Sequence, residues 1–122
     1  MKSTFATVLL TVFLIGSWPS FASAEGFTGW RKIGWIYQRQ CSSALSDGFE
    51  IQLAGPHDNP DGCSNDRTIQ VQCFNQIYDN MVDITRTTFT IGGQLRAFVN
   101  GCDDDGHAIV TALQARQTPS SQ

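Results

Sequence analysis

Residues 69–99 read IQVQCFNQIYDNMVDITRTTFTIGGQLRAFV, and the hydrophobic period changes twice within this stretch. The first five residues alternate between apolar and polar side chains, which predicts a strand. Apolar residues then recur at intervals of three and four, which predicts an amphipathic helix that ends at Gly92-Gly93. Alternation returns after these glycines and predicts a second strand. The helical stripe is predicted to comprise Phe74, Ile77, Tyr78, Met81, Ile84 and Thr88, with Asn75 as the cap at its start.

Two strands are predicted before this stretch and one after it. Residues 30–40 are rich in aromatic and β-branched side chains, and residues 49–53 alternate with Phe, Ile and Leu on one face. Residues 107–115 form the last strand, after a hairpin turn at residues 103–106. The order strand, strand, strand, helix, strand, strand predicts a mainly β fold with one helix (α+β). It is the order of a small, OB-like five-stranded barrel, and an open sheet packed on one helix uses the same elements.

Residues 1–24 are predicted to be a secretory signal peptide. Lys2 gives the positive start, residues 5–15 are apolar apart from two threonines, and Ala22-Ser23-Ala24 fits a signal peptidase site. The apolar run is short for a helix that crosses a membrane. We therefore expect a secreted or periplasmic protein with no membrane attachment after cleavage.

The exported part carries all four cysteines and an excess of negative charge. The chain has eight Lys and Arg against eleven Asp and Glu, a net charge of −3 that becomes −4 without Lys2. This balance argues against nucleic acid and against an anionic membrane surface as partners. We expect one domain at residues 25–116 and a flexible tail at residues 117–122. An even number of cysteines without a C-x-x-C pair predicts two disulfides, and spacing alone leaves their pairing open among Cys41, Cys63, Cys73 and Cys102.

Two short motifs resemble a known group of proteins. Residues 59–65, Asn-Pro-Asp-Gly-Cys-Ser-Asn, and residues 99–102, Val-Asn-Gly-Cys, lie on either side of the predicted helix. The chain thereby resembles a group of small exported bacterial proteins, mostly of unknown function, that carry an Asn-Pro-x-Gly-Cys turn and a later Gly-Cys. The resemblance implies the pairing of Cys63 with Cys102 and of Cys41 with Cys73.

More distantly, the second half of the chain is similar to the receptor-binding B subunits of subtilase-type cytotoxins. Those subunits are OB-type barrels that form pentamers and bind cell-surface glycans. The similarity implies a glycan ligand and a homo-oligomer for this chain. It assigns no sugar-contacting residue to a numbered position.

Aromatic side chains along the first strand supply the candidate ligand contacts. Flat rings with a polar handle suit the C–H faces of sugars. Trp35 and Tyr37 share one parity along the strand, and we interpret them as core residues. Trp30 has the opposite parity and lies near the domain edge, so it is the candidate ligand-binding residue.

Catalysis and metal binding have weaker support. His57 and His107 are expected to be exposed loop residues, and no G-x-S-x-G or H-E-x-x-H pattern occurs. The three carboxylates of Asp103, Asp104 and Asp105 are of the kind that calcium prefers, but they lack the alternating spacing of a calcium loop. A solvated hairpin turn explains them. We therefore expect no catalytic residue, no metal and no cofactor.

The expected function is that of an exported, non-enzymatic binding domain with a glycan as its ligand. Two alternatives remain open: a periplasmic or secreted inhibitor or accessory protein that binds another protein, and a small enzyme. A ring of identical copies would favour the glycan-binding function, and a one-to-one complex with another protein would favour the inhibitor.

Overall fold

The computed structural model describes residues 26–41 and 48–118. The predicted signal peptide and the last four residues of the predicted tail lie outside this part of the chain. The described residues form six strands and one helix. In chain order these are β1 (Gly26–Phe27), β2 (Arg31–Gln38), β3 (Gly48–Leu53), β4 (Thr68–Gln72), α1 (Tyr78–Thr90), β5 (Gln94–Cys102) and β6 (Ala108–Arg116).

The fold is mainly β with one helix, as predicted, and its element order from β2 onward is the predicted one. The structure adds β1, a two-residue strand that pairs with β5. The sheet order is β1-β5-β2-β3-β4-β6, and β5 also pairs with β6. All pairings are antiparallel except that of β4 with β6, which is parallel because α1 and β5 lie between them in the chain.

The core lies between the inner side of the sheet and the helix. Alternation along β5 places Leu95, Ala97 and Val99 inside, each fully buried. Residues of β3, β4 and β6 complete the cluster with Met81 and Val82 of the helix. Burial of this apolar surface, at roughly 25 cal/mol per Å2, is the main force that holds the domain together.

The helix ends at the predicted position and begins three residues after its predicted cap. Asn75 does not cap the helix itself. Its Oδ1 accepts the Ile77 N–H at 3.0 Å and closes the turn before the first helical residue, Tyr78. At the other end Gly92 adopts φ +66°, a conformation that favours glycine and stops the helix.

The predicted apolar stripe of the helix is wrong in part. Phe74, Ile77 and Ile84 are exposed. Met81 and Thr88 are buried as predicted, and Val82 and Thr85 are buried beside them. Threonine enters this core because its hydroxyl is satisfied within the helix. That of Thr85 donates to the Met81 carbonyl at 2.7 Å, and that of Thr88 to the Ile84 carbonyl at 2.6 Å.

The two disulfides are those implied by the resemblance. Cys63 bonds to Cys102 and Cys41 to Cys73, with Cα atoms 5.6 and 5.7 Å apart. The first bridge joins the long loop after β3 to the end of β5.

Side chains of the Asn-Pro-Asp-Gly-Cys turn tighten this junction. The Asn59 amide exchanges two hydrogen bonds with the backbone of Cys63, at 2.6 and 3.0 Å. Asp61 Oδ2 accepts the Gly101 N–H at 2.5 Å. The two motifs of the resemblance are thus the two sides of one contact.

Candidate functional site

Two exposed rings and a buried charged cluster share the outer face of β2, β3 and β4. Tyr37 lies opposite Glu50, and Glu50 lies opposite Gln70. Directly opposed residues project to the same side of a sheet. Trp35 precedes Tyr37 by two positions on β2 and therefore shares this side. We call the surface formed by Trp35, Tyr37 and Arg39, beside which Glu50 is buried, the outer aromatic face.

The interpretation of Trp35 and Tyr37 as core residues is wrong. Their exposed fractions are 41% and 51%. A β-bulge is the cause. Ile33 pairs with Leu53 and Trp35 with Gln52, the residue before Leu53, so Gly34 is an extra residue in β2. The bulge turns both rings outward. A glycine inside a strand pattern is a known sign of a bulge, and it is the sequence signal that was missed.

The rings of the outer aromatic face are held in a defined arrangement. Trp35 and Tyr37 meet edge to face, with centroids 6.5 Å apart and planes at 86°. The Arg39 guanidinium lies 5.4 Å from the Tyr37 ring centroid. These distances fall within the ranges of aromatic and cation–π contacts, so the face offers rigid apolar surface beside a cation.

The Glu50 carboxylate lies beside the rings, on the strand face that alternation predicts to be polar. The side chain of Glu50 is only 6% exposed, and its Oε1 is 3.0 Å from an Arg39 terminal nitrogen. His107 Nδ1 lies 3.9 Å from the same oxygen. Glu50 is buried between Arg39, just after β2, and His107, just before β6. A buried carboxylate is stable only with such partners.

His107 is the centre of this cluster. Its Nδ1 lies 3.3 Å from Asp103 Oδ2 and 3.4 Å from Gln70 Oε1. The side chain is 12% exposed, so the expectation of an exposed loop histidine is wrong for His107. It is wrong for His57 as well, which is buried in its loop with Nδ1 2.7 Å from the Asp58 carbonyl.

The hairpin turn at residues 103–106 forms as predicted, but it is not uniformly solvated. The Gly106 N–H donates to the Asp103 carbonyl at 3.0 Å. Asp103 Oδ1 accepts the backbone N–H groups of Asp105 and His107, at 3.0 and 2.8 Å. These bonds turn the Asp103 side chain inward to an exposed fraction of 1%, whereas Asp104 and Asp105 are exposed.

Trp30, the residue predicted to bind a ligand, lies on the wall formed by β5 and β6. Arg116 stacks on its ring at 4.3 Å and Arg96 at 4.9 Å. Within residues 26–41 and 48–118, no ring contact joins Trp30 to Trp35 or Tyr37. The half-buried Trp30 ring is therefore occupied by two guanidinium groups, and the structure does not bring the three aromatic residues together.

These features define a mainly β, disulfide-bonded domain with an exposed aromatic face over buried charge. Comparison with family models, with curated proteins and with solved structures finds no match for this chain. Within the described ranges no helix is long and apolar enough to cross a membrane.

Proposed function

We propose that this chain is an exported, non-enzymatic domain that binds a glycan on its outer aromatic face. The observation that carries the proposal is the exposure of Trp35 and Tyr37 side by side, next to the Arg39–Glu50 ion pair. Flat rings cover the C–H face of a sugar, and polar groups at the rim bond its hydroxyls.

Fold topology supports the proposal. The pairings run β5-β2-β3-β4-β6 and return from β6 to β5, and in the proposal they close a five-stranded barrel of OB type with β1 added at its edge. Such barrels bind oligosaccharides and oligonucleotides on the face of their second and third strands, which correspond here to β3 and β4. The exposed rings lie on the adjacent strand, β2, beside that face. The excess of acidic residues favours the sugar over the nucleic acid.

The position of Arg39 on the outer aromatic face is fixed before a ligand binds. Arg39 is held between the Tyr37 ring and Glu50, at 5.4 and 3.0 Å. Because its position is fixed before binding, less side-chain entropy is lost when a ligand accepts its hydrogen bonds. Trp30 is the weaker candidate, since two arginines already cover its ring.

Export is supported by the disulfides, which persist in oxidising compartments and are rare in the cytosol. A signal peptide at residues 1–24 and a secreted or periplasmic location are part of the proposal. The chain should therefore be tested after purification from the periplasm of a bacterial host with its disulfides formed.

A glycan microarray probed with the labelled protein tests the proposed function. We expect binding to a restricted set of glycans, and addition of the free sugar should remove it. Failure to bind any glycan, even when the protein is clustered on a carrier to gain avidity, would overturn the proposal and favour a protein partner.

A groove beside the helix supports a second proposed property, assembly with further copies of the chain. Exposed Ile84 and Ile91 line it together with Ala115 and Gln117, around a volume of about 390 Å3. Exposed apolar surface of this kind is typical of interfaces. A homo-oligomer would present several aromatic faces to one surface, as in the pentameric B subunits that the chain resembles. Light scattering after size exclusion tests it, and a monomer at all concentrations would exclude it.

A further inference from the structure

The cluster below the outer aromatic face contains more buried acceptors than donors. Asp103 Oδ2 and Glu50 Oε1 are buried without a well-oriented hydrogen bond. Their nearest charged neighbours are His107 for the first and Arg39 for the second. Burying a carboxylate oxygen without a hydrogen bond is costly. Because Glu50 Oε1 already has the Arg39 guanidinium at 3.0 Å, Asp103 Oδ2 is the oxygen that points to a further positively charged group.

The charges of the cluster do not balance either. Histidine binds a metal through its neutral imidazole, so with His107 as a ligand the three carboxylates of Glu50, Asp103 and Asp105 would face one protein cation, Arg39. A divalent cation would neutralise the excess.

The distances between the possible ligand atoms around His107 are close to those between neighbouring ligand atoms of a zinc ion. Zinc ligands lie at about 2.0–2.1 Å from the ion, so two ligand atoms of a tetrahedral site are about 3.3–3.4 Å apart. Asp103 Oδ2 is 3.3 Å from His107 Nδ1 and Glu50 Oε1 is 3.9 Å from it. Ligand atoms of Asp103, Asp105 and His107 all lie within 4.8 Å of one another. The exposed Asp105 carboxylate would supply the third ligand, and its exposure leaves a path by which the ion enters from solvent.

We infer that Asp103, Asp105 and His107 bind a Zn²⁺ ion, with Glu50 facing it from the buried side. This goes beyond the proposed glycan binding. Zinc accepts imidazole nitrogen and carboxylate oxygen together, whereas calcium takes oxygen ligands. The imidazole therefore selects zinc over the calcium that three aspartates alone would suggest. All four cysteines are in disulfides, so the site contains no thiolate.

Isothermal titration of the oxidised protein with ZnCl₂ and CaCl₂ tests the inference. We expect one Zn²⁺ per chain and no heat of binding from Ca²⁺. At a hundredfold excess of free Zn²⁺ over its Kd, the Tm of so small a domain should rise by about 10 °C or more. Co²⁺ should give visible bands of a nitrogen- and oxygen-ligated ion without sulfur charge transfer.

Variants locate the site. Asp103→Asn keeps a side-chain oxygen that can accept the turn hydrogen bonds but removes the charge, and His107→Gln removes the imidazole nitrogen. Each should weaken Zn²⁺ binding at least tenfold. Asp104→Asn is the matched control, because Asp104 is exposed in the same turn but is not one of the grouped ligands, and its Kd should be unchanged.

Two results would overturn the inference. One is the absence of zinc binding to the wild-type protein. The other is equal loss of binding in Asp104→Asn, which would show adventitious binding to the acidic turn. Since the Co²⁺ spectrum is recorded on the wild-type protein, the inference stays testable even if a variant fails to fold.

Discussion

The Arg39 guanidinium and the Glu50 carboxylate form an ion pair of 3.0 Å at the boundary between exposed rings and buried charge. Glu50 is almost completely buried, and Arg39 keeps 38% of its side chain exposed. The pair therefore belongs both to the packing of the sheet and to the proposed binding surface.

Arg39→Met should leave Glu50 buried without its cation and lower the free energy of unfolding by about 1–2 kcal/mol, the low end for such pairs because Arg39 is partly solvated. Glu50→Gln in the same background should recover part of the loss. Urea unfolding of the two single variants and the double variant measures the coupling. Additivity within about 0.3 kcal/mol would show that the pair contributes nothing.

The strands and the helix were predictable because their periods are local properties of the sequence. Alternation along β3 and β5, and the double glycine after α1, needed no knowledge of distant contacts. The outward turn of Trp35 and Tyr37 was not predicted, because one extra residue at Gly34 reverses the parity of everything after it.

The charged cluster was not predictable from patterns. Glu50 occupies a position that alternation assigns to solvent, and it is buried beside Arg39 and beside His107, which is distant in the chain. Such contacts depend on the pairing of β4 with β6, which the local alternation of residues does not predict.

Removal of either disulfide should destabilise the domain, and removal of Cys63–Cys102 should cost more. The sequence separations of 39 and 32 residues give nearly equal chain-entropy contributions of about 4 kcal/mol each. Cys63 is buried, however, and its turn is held by the Asn59 hydrogen bonds and by Asp61, which accepts the Gly101 N–H. Thermal unfolding of the two double-serine variants compares them. A larger loss on removing Cys41–Cys73 would contradict the ranking.

Gly48 has a steric role at the start of β3. A Cβ atom there would lie 2.2 Å from the Val71 carbonyl oxygen, and φ is +150°. Gly48→Ala should therefore lower stability by about 2 kcal/mol or more. Gly55→Ala is the control, because its φ is also positive but its Cβ would have no neighbour within 4 Å. Chemical denaturation of both variants should show a clearly larger loss for Gly48→Ala, and equal losses would disprove the clash.

Ile84→Asp separates the proposed oligomer interface from the fold. Ile84 is exposed beside the groove, so its replacement should change the free energy of unfolding by no more than about 0.5 kcal/mol. If copies of the chain associate through this groove, light scattering should show dissociation of the variant. Thr87→Asp, in the same groove, should have the same effect, and an unchanged oligomer in both variants would place the interface elsewhere.

Binding isotherms of the wild-type protein, Trp35→Ala and Trp30→Ala for the strongest ligand on a glycan array test the central claim most directly. Loss of a stacking ring should weaken binding at least tenfold, about 1.4 kcal/mol, in Trp35→Ala, while the folded state persists because the ring is exposed. Trp30→Ala should bind as the wild type does. Unchanged binding by Trp35→Ala, with loss in Trp30→Ala, would contradict the assignment to the outer aromatic face and place the ligand on the wall formed by β5 and β6.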